Sequence, residues 1–406
     1  MTAHRPLGPT SAHPAPAHPT RAPAAPLDPA ALRRALQPFG RSTQLPAAAY
    51  TDPAVLAWER RHAFAAGWVC LGRAEEVLPD GPGTAEGILA GDVPVLLTRG
   101  ADGVLAAFAN TCRHRGHEIL GAGCTARGRA LTCPYHAWSY GLDGRLVAAP
   151  GMAGVDGFAA GDHGLLPVPL ARWHGWVMVN ATGTAPPLAT WIGGLEGLVA
   201  PYDPARLQVA ARHEYEIAAN WKVIVENYQE CYHCPLIHPE LCDVTPPDSG
   251  DNYDLPGAWV GGSMDLREHA QTMSFDGRSH GVPLPGADPR RVHYLGLFPN
   301  LLISLHPDYV MTHRTVPLAP DRTHVECTWL FAPEALERPG FDPGYAVDFW
   351  DLTNRQDWAA CESVQRGLAS PHFRAGPLAP NEDAVHRWIT LVGGLYTDPS
   401  RPPTQS

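Results

Sequence analysis

Two short residue pairs carry the most specific chemistry in this chain of 406 residues: Cys112-Arg-His114 and Cys133-Pro-Tyr-His136. Each pair mixes a thiol with an imidazole. Two thiolates on one iron and two imidazoles on the other make the ligand set of a Rieske [2Fe–2S] centre. Neutral imidazoles in place of anionic thiolates leave such a cluster less negative, so it accepts an electron more readily. On this reading Cys112 and Cys133 hold one iron, and His114 and His136 hold the other. A Cys₂His₂ zinc site has the same stoichiometry, but zinc sites pair like with like, as C-x₂₋₄-C and H-x₃₋₅-H. The mixed pairs, with Arg115-Gly116 after one and Trp138 after the other, favour iron–sulfur chemistry.

A second set lies in Glu230-Cys231-Tyr232-His233-Cys234-Pro235-Leu236-Ile237-His238-Pro239. Two neutral histidines and a carboxylate form the facial triad of non-haem Fe(II) oxygenases, whose open positions take dioxygen. Glu230 and His233 are three apart and share a face if the segment is helical. Pro235 breaks the turn, which lets His233 and His238 converge. The plainer reading of the two histidines is polar helix-end residues. Cys231 and Cys234 are spaced like half a zinc knuckle, but no second half follows, so they read as small buried hydrophobes. A third ligand must come from elsewhere. A long helix over about 345–368 carries an apolar stripe of Phe349, Leu352, Ala360, Val364 and Leu368, with Gln356 as a polar break. It offers Asp348, Asp351, Asp357 and Glu362, and residue chemistry alone leaves all four open.

These side chains need elements to position them. The length suggests two domains as a prior. A net charge of −11 opposes nucleic acid or an anionic membrane surface as the main partner. No apolar run approaches the roughly 20 residues of a membrane span. Nine cysteines, an odd count, do not read as a disulfide scaffold, and a reducing cytoplasm suits an iron–sulfur cluster. Residues 1–45, rich in Pro and Ala, read as a disordered tail with a short helix near 29–36. Thr51-Asp52-Pro53 starts a helix that runs to about 64. Strand-like segments at 68–72, 93–98, 104–110, 130–132, 138–140 and 146–149 alternate with Gly/Asp turns. They place the Cys/His loops in a small all-β domain over 46–185. A second domain, 186–406, opens with a helix at 190–202 and a strand at 208–217. An Asn220-capped helix, strands at 297–306, 310–316 and 323–331, and the long helix follow. Between His238 and Val292 the chain is rich in Gly, Pro and Asp, and long enough to cover an entrance.

The combination resembles the catalytic α subunit of Rieske non-haem iron oxygenases over roughly 51–396. The resemblance rests on Cys112-x-His114-Arg-Gly, Cys133-Pro-Tyr-His136-x-Trp138, Asn220-Trp-Lys, Glu230-x-x-His233-x₄-His238, and Asp357 ahead of Cys361-Glu-Ser-Val-Gln-Arg-Gly367. It implies an α+β fold, with an all-β Rieske domain joined to a helix-grip catalytic domain of antiparallel sheet and long helices. It implies that His233, His238 and Asp357 hold a mononuclear iron. It also implies a homotrimer in which the cluster of one subunit serves the iron of the next, with Glu230 reaching from His233 to His136 of the partner subunit. Most ring-hydroxylating members have Asp where this chain has Glu230. Glu there, followed by Cys-Tyr-His-Cys, resembles the branch acting on quaternary ammonium compounds such as choline, betaine and carnitine. That implies O₂-dependent hydroxylation or N-demethylation. An aromatic-ring dioxygenase α subunit and a non-catalytic Rieske electron carrier are the alternatives. No Gly-rich dinucleotide fingerprint follows a strand, so a separate NAD(P)H-dependent reductase or ferredoxin is expected to supply electrons. An organic cation suits an aromatic cage, for which Tyr228, Tyr294, Tyr309 and Trp329 are candidates.

Overall fold

The structure, a computed structural model, describes residues 23–403. Its Cys/His-bearing half is built from short antiparallel strands. Val93–Arg99 pairs with Thr84–Ala90 on one side and Leu105–Ala109 on the other, and Thr125–Arg127 extends the edge. Val95, Leu96 and Leu97 are all buried, so this strand is covered on both faces. A second sheet holds Ala130–Thr132, Ser139–Gly141 and Leu146–Ala148. A third, of Val69–Arg73, Trp176–Val179 and Leu170–Trp173, closes the unit. The expected strands lie within a residue or two of these. Thr84–Ala90 was not foreseen, because Gly87 in mid-strand weakens the alternating pattern. That glycine is required. A side chain there would run into the Leu120 carbonyl of the loop that follows the first Cys/His pair. With no side chain, Gly87 N–H donates to Cys124 O at 3.0 Å and pins the loop.

The second half is a seven-stranded antiparallel sheet. Its order is Gln208–Ile217, Arg322–Phe331, Tyr309–Ala319, Leu301–Leu305, Arg291–Leu297, Trp259–Asp265 and Asp251–Asn252. The helices Trp221–Tyr228, Gly344–Leu368 and Asp383–Thr397 pack on it, so the whole is α+β. Three expectations need correction. The 190–202 segment is not one helix, because Gly193 takes a φ of 53° and splits it into Leu188–Ile192 and Leu195–Val199. The 297–306 segment is not one strand, because the cis Phe298–Pro299 turn folds it into a hairpin. The stretch after His238 holds the strand Trp259–Asp265, which Gly261 and Gly262 hide from strand patterning.

Of the expected 1–45 tail, residues 1–22 lie outside the described residues, and 23–45 are not a tail. Asp28 caps the helix Pro29–Ala35 by accepting from Ala30 N–H at 3.0 Å. Leu32, Ala35 and Leu45 are buried. Ala25 N–H donates to Tyr396 O at 2.9 Å, and Trp58 Nε1–H to Pro23 O at 2.8 Å. Proline-rich composition masked a few well-spaced apolar residues that have a groove to fill.

The helix Pro53–Glu59 joins this N-terminal region to the catalytic half through a buried charge. Glu59 Oε1 accepts from Lys222 Nζ at 2.7 Å, and Glu59 Oε2 from Trp221 Nε1–H at 2.9 Å. Tyr396 OH also donates to Glu59. The Lys222 and Glu59 side chains are 0% and 1% exposed. Removing one partner of such a pair costs about 3–5 kcal/mol, because the other charge stays buried. The Asn220-Trp-Lys motif is therefore structural. Asn220 Oδ1 caps the Trp221–Tyr228 helix by accepting from Lys222 N–H at 3.0 Å, and the next two residues anchor it to Glu59.

Candidate metal centres

The first centre is formed by two tight loops. Cys112 N–H donates to His117 O at 2.8 Å, and Gly116 N–H returns to Cys112 O at 2.9 Å. Gly116 has a φ of 77°, which glycine adopts without cost. In the second loop Cys133 N–H donates to Trp138 O at 2.8 Å, and Ala137 N–H to Cys133 O at 3.0 Å. Ala137 has a φ of 59° although it carries a Cβ, at a cost on the order of 1 kcal/mol. That strain sits beside His136. Cys112 and Cys133 are 3% and 2% exposed, while His114 and His136 face solvent. The two rings lie 4.6 Å apart by centroid, and Trp138 stacks on His114 at 4.9 Å. Tyr140 OH accepts from Arg113 N–H at 2.9 Å and lies 3.3 Å from Cys112 Sγ, so its proton is available to that sulfur. The donor set fits a Rieske cluster, with a thiolate-held iron inside and an imidazole-held iron at the surface. Tyr140 was not singled out in the sequence; only the hairpin brings it under Cys112.

The second centre lies where two helices meet the sheet. One nitrogen or oxygen from each of His233, His238 and Asp357 falls within 4.8 Å of the others. Asp357 Oδ1 is 3.3 Å from His233 Nε2 and 2.9 Å from His238 Nε2. Both imidazoles turn Nδ1 away from this point. His233 Nδ1 lies 2.5 Å from Glu230 Oε1, and His238 Nδ1 lies 2.7 Å from Gln356 Oε1. Such acceptors hold the N–H of a metal-binding imidazole and leave Nε2 free for the metal. Burial alone pulls the His233 imidazolium down, but hydrogen bonds to Asp357 and Glu230 outweigh it and lift its pKa to about 10. For Asp357, burial pushes the carboxyl up, and the two histidines more than reverse this. Two carboxylates against one imidazole favour positive charge at this point, which a divalent cation bound by neutral imidazoles would supply.

The local backbone differs from expectation. The helix ends at Tyr228, so Glu230 and His233 do not share a helical face. The Glu230 carboxylate instead folds back over its own turn. Its Oε2 accepts from the backbone N–H groups of Tyr232 and His233, which leaves Oε1 for the His233 ring. Pro235 does not break a helix; it sits in the first turn of the short helix Cys234–Ile237. Cys231 and Cys234 are not free small hydrophobes but form a disulfide across the His233 turn, with Cα atoms 4.9 Å apart. The tight turn brings them within bridging range. Asp351 lies in a separate group, where it accepts from Tyr215 OH at 2.6 Å and Arg355 Nε at 2.7 Å.

A cavity of about 740 Å³ opens onto the three converging side chains. Tyr228, Tyr294, Trp350 and Trp358 contribute to its wall. Tyr309 and Trp329, two of the four aromatics expected in a cage, are fully buried in the core instead. They lie on the same face of the sheet as Tyr294 and His313, but the helix Gly344–Leu368 packs over them, with Trp350 Nε1–H donating to Tyr309 OH at 2.8 Å, and that helix supplies tryptophans to the cavity in their place. The start of the irregular stretch after His238 does reach the cavity, through Pro247, Asp248 and Gly250.

Comparison with known proteins follows the same division. Residues 67–159 match the Rieske [2Fe-2S] domain, and residues 204–393 match the ring hydroxylating alpha subunit (catalytic domain). The glycine betaine monooxygenase oxygenase subunit of Chromohalobacter salexigens is 33% identical over 368 residues, covering 82% of this chain and 81% of the relative. The carnitine monooxygenase oxygenase subunit of Escherichia coli (strain K12) is 31% identical over 338 residues, covering 81% and 85%. A solved quaternary ammonium Rieske monooxygenase, described for carnitine oxidation and inter-subunit electron transfer, superposes with a TM-score of 0.69. It is 25% identical, and the match covers 87% of this chain and 96% of that one. Two ligand-bearing regions, a shared architecture and relatives matched along most of their length agree: this chain belongs to the Rieske non-haem iron oxygenases, as a catalytic α subunit.

Proposed function

We propose that this protein is the terminal oxygenase of a two-component monooxygenase acting on a quaternary amine. The observation that carries the reading is the convergence of His233, His238 and Asp357 at the floor of an aromatic-lined cavity. Substrate C–H, O₂, two electrons and two protons give C–OH and water; hydroxylation at an N-methyl carbon leads on to demethylation. When bound, the cluster supplies single electrons and the mononuclear iron activates O₂.

The chain's own residues have distinct tasks. Cys112, Cys133, His114 and His136 hold the cluster. His233, His238 and Asp357 hold the iron, and Glu230 and Gln356 fix the two imidazoles in the Nε2-binding tautomer. Tyr228, Tyr294, Trp350 and Trp358 exclude water and offer ring faces to a cationic head. Glu230 also occupies the outer side of the site. Tyr232 and Leu236 beside it are 60% and 87% exposed, an apolar surface suited to being covered. In a homotrimer, His136 of the partner subunit would meet Glu230 here, so that electrons cross between subunits. A separate NAD(P)H-dependent reductase or ferredoxin would load the cluster from the exposed His114 face. No described helix is long and apolar enough to cross a membrane. The quaternary-amine reading is favoured over an aromatic dioxygenase by Glu230, by the relatives' stated substrates and by the cavity's charge.

The test is reconstitution with a reductase, assayed against quaternary amines and aromatic acids. Formaldehyde or an N-alkyl hydroxylation product from the amines supports the reading; cis-diols from aromatic acids would replace it with the dioxygenase alternative.

A further inference from the structure

We propose that the cavity selects an organic cation without a carboxylate, such as a quaternary ammonium alcohol, over a zwitterionic betaine. This rests on the quaternary-amine reading above and narrows it. Among the described residues no Lys or Arg lines the cavity, whereas Glu230, Asp248, Asp357 and Asp383 do. Glu230 and Asp357 are committed to the metal-site histidines. Asp248 is exposed and Asp383 half-buried, so they sit toward the mouth. Arg387 stands behind Asp383, with Nε 3.8 Å from Oδ2. Its Nη1 donates to the Tyr253 carbonyl and lies 3.5 Å from Asp254, so it faces away from the wall. Lys222 is locked to Glu59 in the core.

The groups left to receive a substrate tail are neutral. Gln229 Nε2, Tyr294 OH, His313 Nδ1 and Trp358 Nε1 are buried, without a hydrogen-bond partner, in residues that line the cavity. These four atoms are sealed behind the wall, and Asn227, Thr353 and Asn381, which also line the cavity, are equally uncharged. Burial holds His313 down at about 4, which keeps its ring uncharged at neutral pH. A hydroxyl can satisfy such groups as donor or acceptor.

A carboxylate fares differently. It sheds its hydration on entry, finds no cation to replace it, and passes two acidic side chains at the mouth. The remaining positive charge would be the bound iron itself. A carboxylate drawn to that iron would compete with O₂ for its open positions. A trimethylammonium head has no N–H to satisfy and gains from ring faces and nearby carboxylates alike.

The experiment uses the reductase-coupled holoenzyme and compares kcat/KM for choline, glycine betaine, the amide of glycine betaine, and neutral 3,3-dimethylbutan-1-ol. Choline and the amide should each exceed glycine betaine by about tenfold or more, equivalent to about 1.4 kcal/mol. The neutral isostere should be poor. Asp248→Lys should narrow the choline-to-betaine ratio, and an unchanged ratio would count against the charge argument. Glycine betaine turned over as well as choline and the amide overturns the proposal while leaving the quaternary-amine reading intact. Oxidation of aromatic acids with none of the ammonium compounds would overturn both.

Discussion

His238 Nδ1 lies 2.7 Å from Gln356 Oε1, while Nε2 of the same ring lies 2.9 Å from Asp357 Oδ1. Adjacent residues of one helix thus address opposite nitrogens of one imidazole. The Gln356 amide also approaches Glu240 at 3.5 Å, which orients its oxygen toward the ring. Gln356→Leu should therefore weaken iron binding by about 10–100-fold, the usual effect of losing such a partner. Iron retained after dialysis against a chelator, with the cluster's visible spectrum as internal reference, measures this. Unchanged retention would show that Gln356 does not position the ring.

The choice between helix carboxylates has a direct test. Asp357→Ala should abolish turnover and lose the mononuclear iron while the cluster spectrum persists. Asp351→Ala should keep most activity, because its partners are Tyr215, His213 and Arg355. The reverse pattern in an activity assay would assign the third ligand to Asp351.

Glu230→Gln should keep both metals and the oligomer yet lose most turnover, since the amide cannot accept both backbone and ring N–H groups and also bridge to a second subunit. Stopped-flow oxidation of the pre-reduced cluster, with substrate and O₂ present, should slow markedly. An ordinary exposed glutamate would change stability by under about 0.5 kcal/mol and leave this rate alone.

Much of the chemistry was readable before the fold. The two Cys/His pairs and the two histidines stand out because few other roles demand those residue types at those spacings. The third ligand was not separable by chemistry, since four acidic residues share its helix; resemblance alone singled out Asp357. Gln356 was visible as a break in an apolar stripe, but its partner is 118 positions away, and only the packing of two helices brings them together. Spacing by three between Glu230 and His233 fits both a helical face and a carboxylate that caps its own loop, so the sequence does not separate the two. Tyr309 and Trp329 illustrate the limit for aromatics: sequence shows that they are strand residues, not that a helix will cover their part of the sheet face.

Glu226 predicts a pH dependence. Burial of its carboxyl is the main cause that raises its pKa to about 7, against hydrogen bonds from Tyr50 and the nearby Lys222 charge, which lower it. The folded state thus keeps the proton up to about pH 7, while the unfolded chain releases it near the ordinary 4.5. Its contribution to stability is fully present below that value and is lost as pH rises toward 7, by at most about 1.4 kcal/mol per pH unit. Glu226→Gln, which keeps an acceptor for Tyr50 OH, should flatten this part of the stability–pH curve. Chemical denaturation at several pH values measures it, and an equally steep fall in the variant would exclude Glu226 as the source.

The central claim is that one polypeptide holds an electron-storing cluster and an O₂-activating iron that act together on a quaternary amine. It is tested most directly by single turnover. The oxygenase is reduced, freed of reductant, and mixed with O₂ and choline in the absence of reductase. The account predicts that the cluster oxidises in step with product formation, and that His233→Ala retains the reduced cluster but forms no product. Cluster oxidation without product in the wild type, or equal product from His233→Ala, would contradict it.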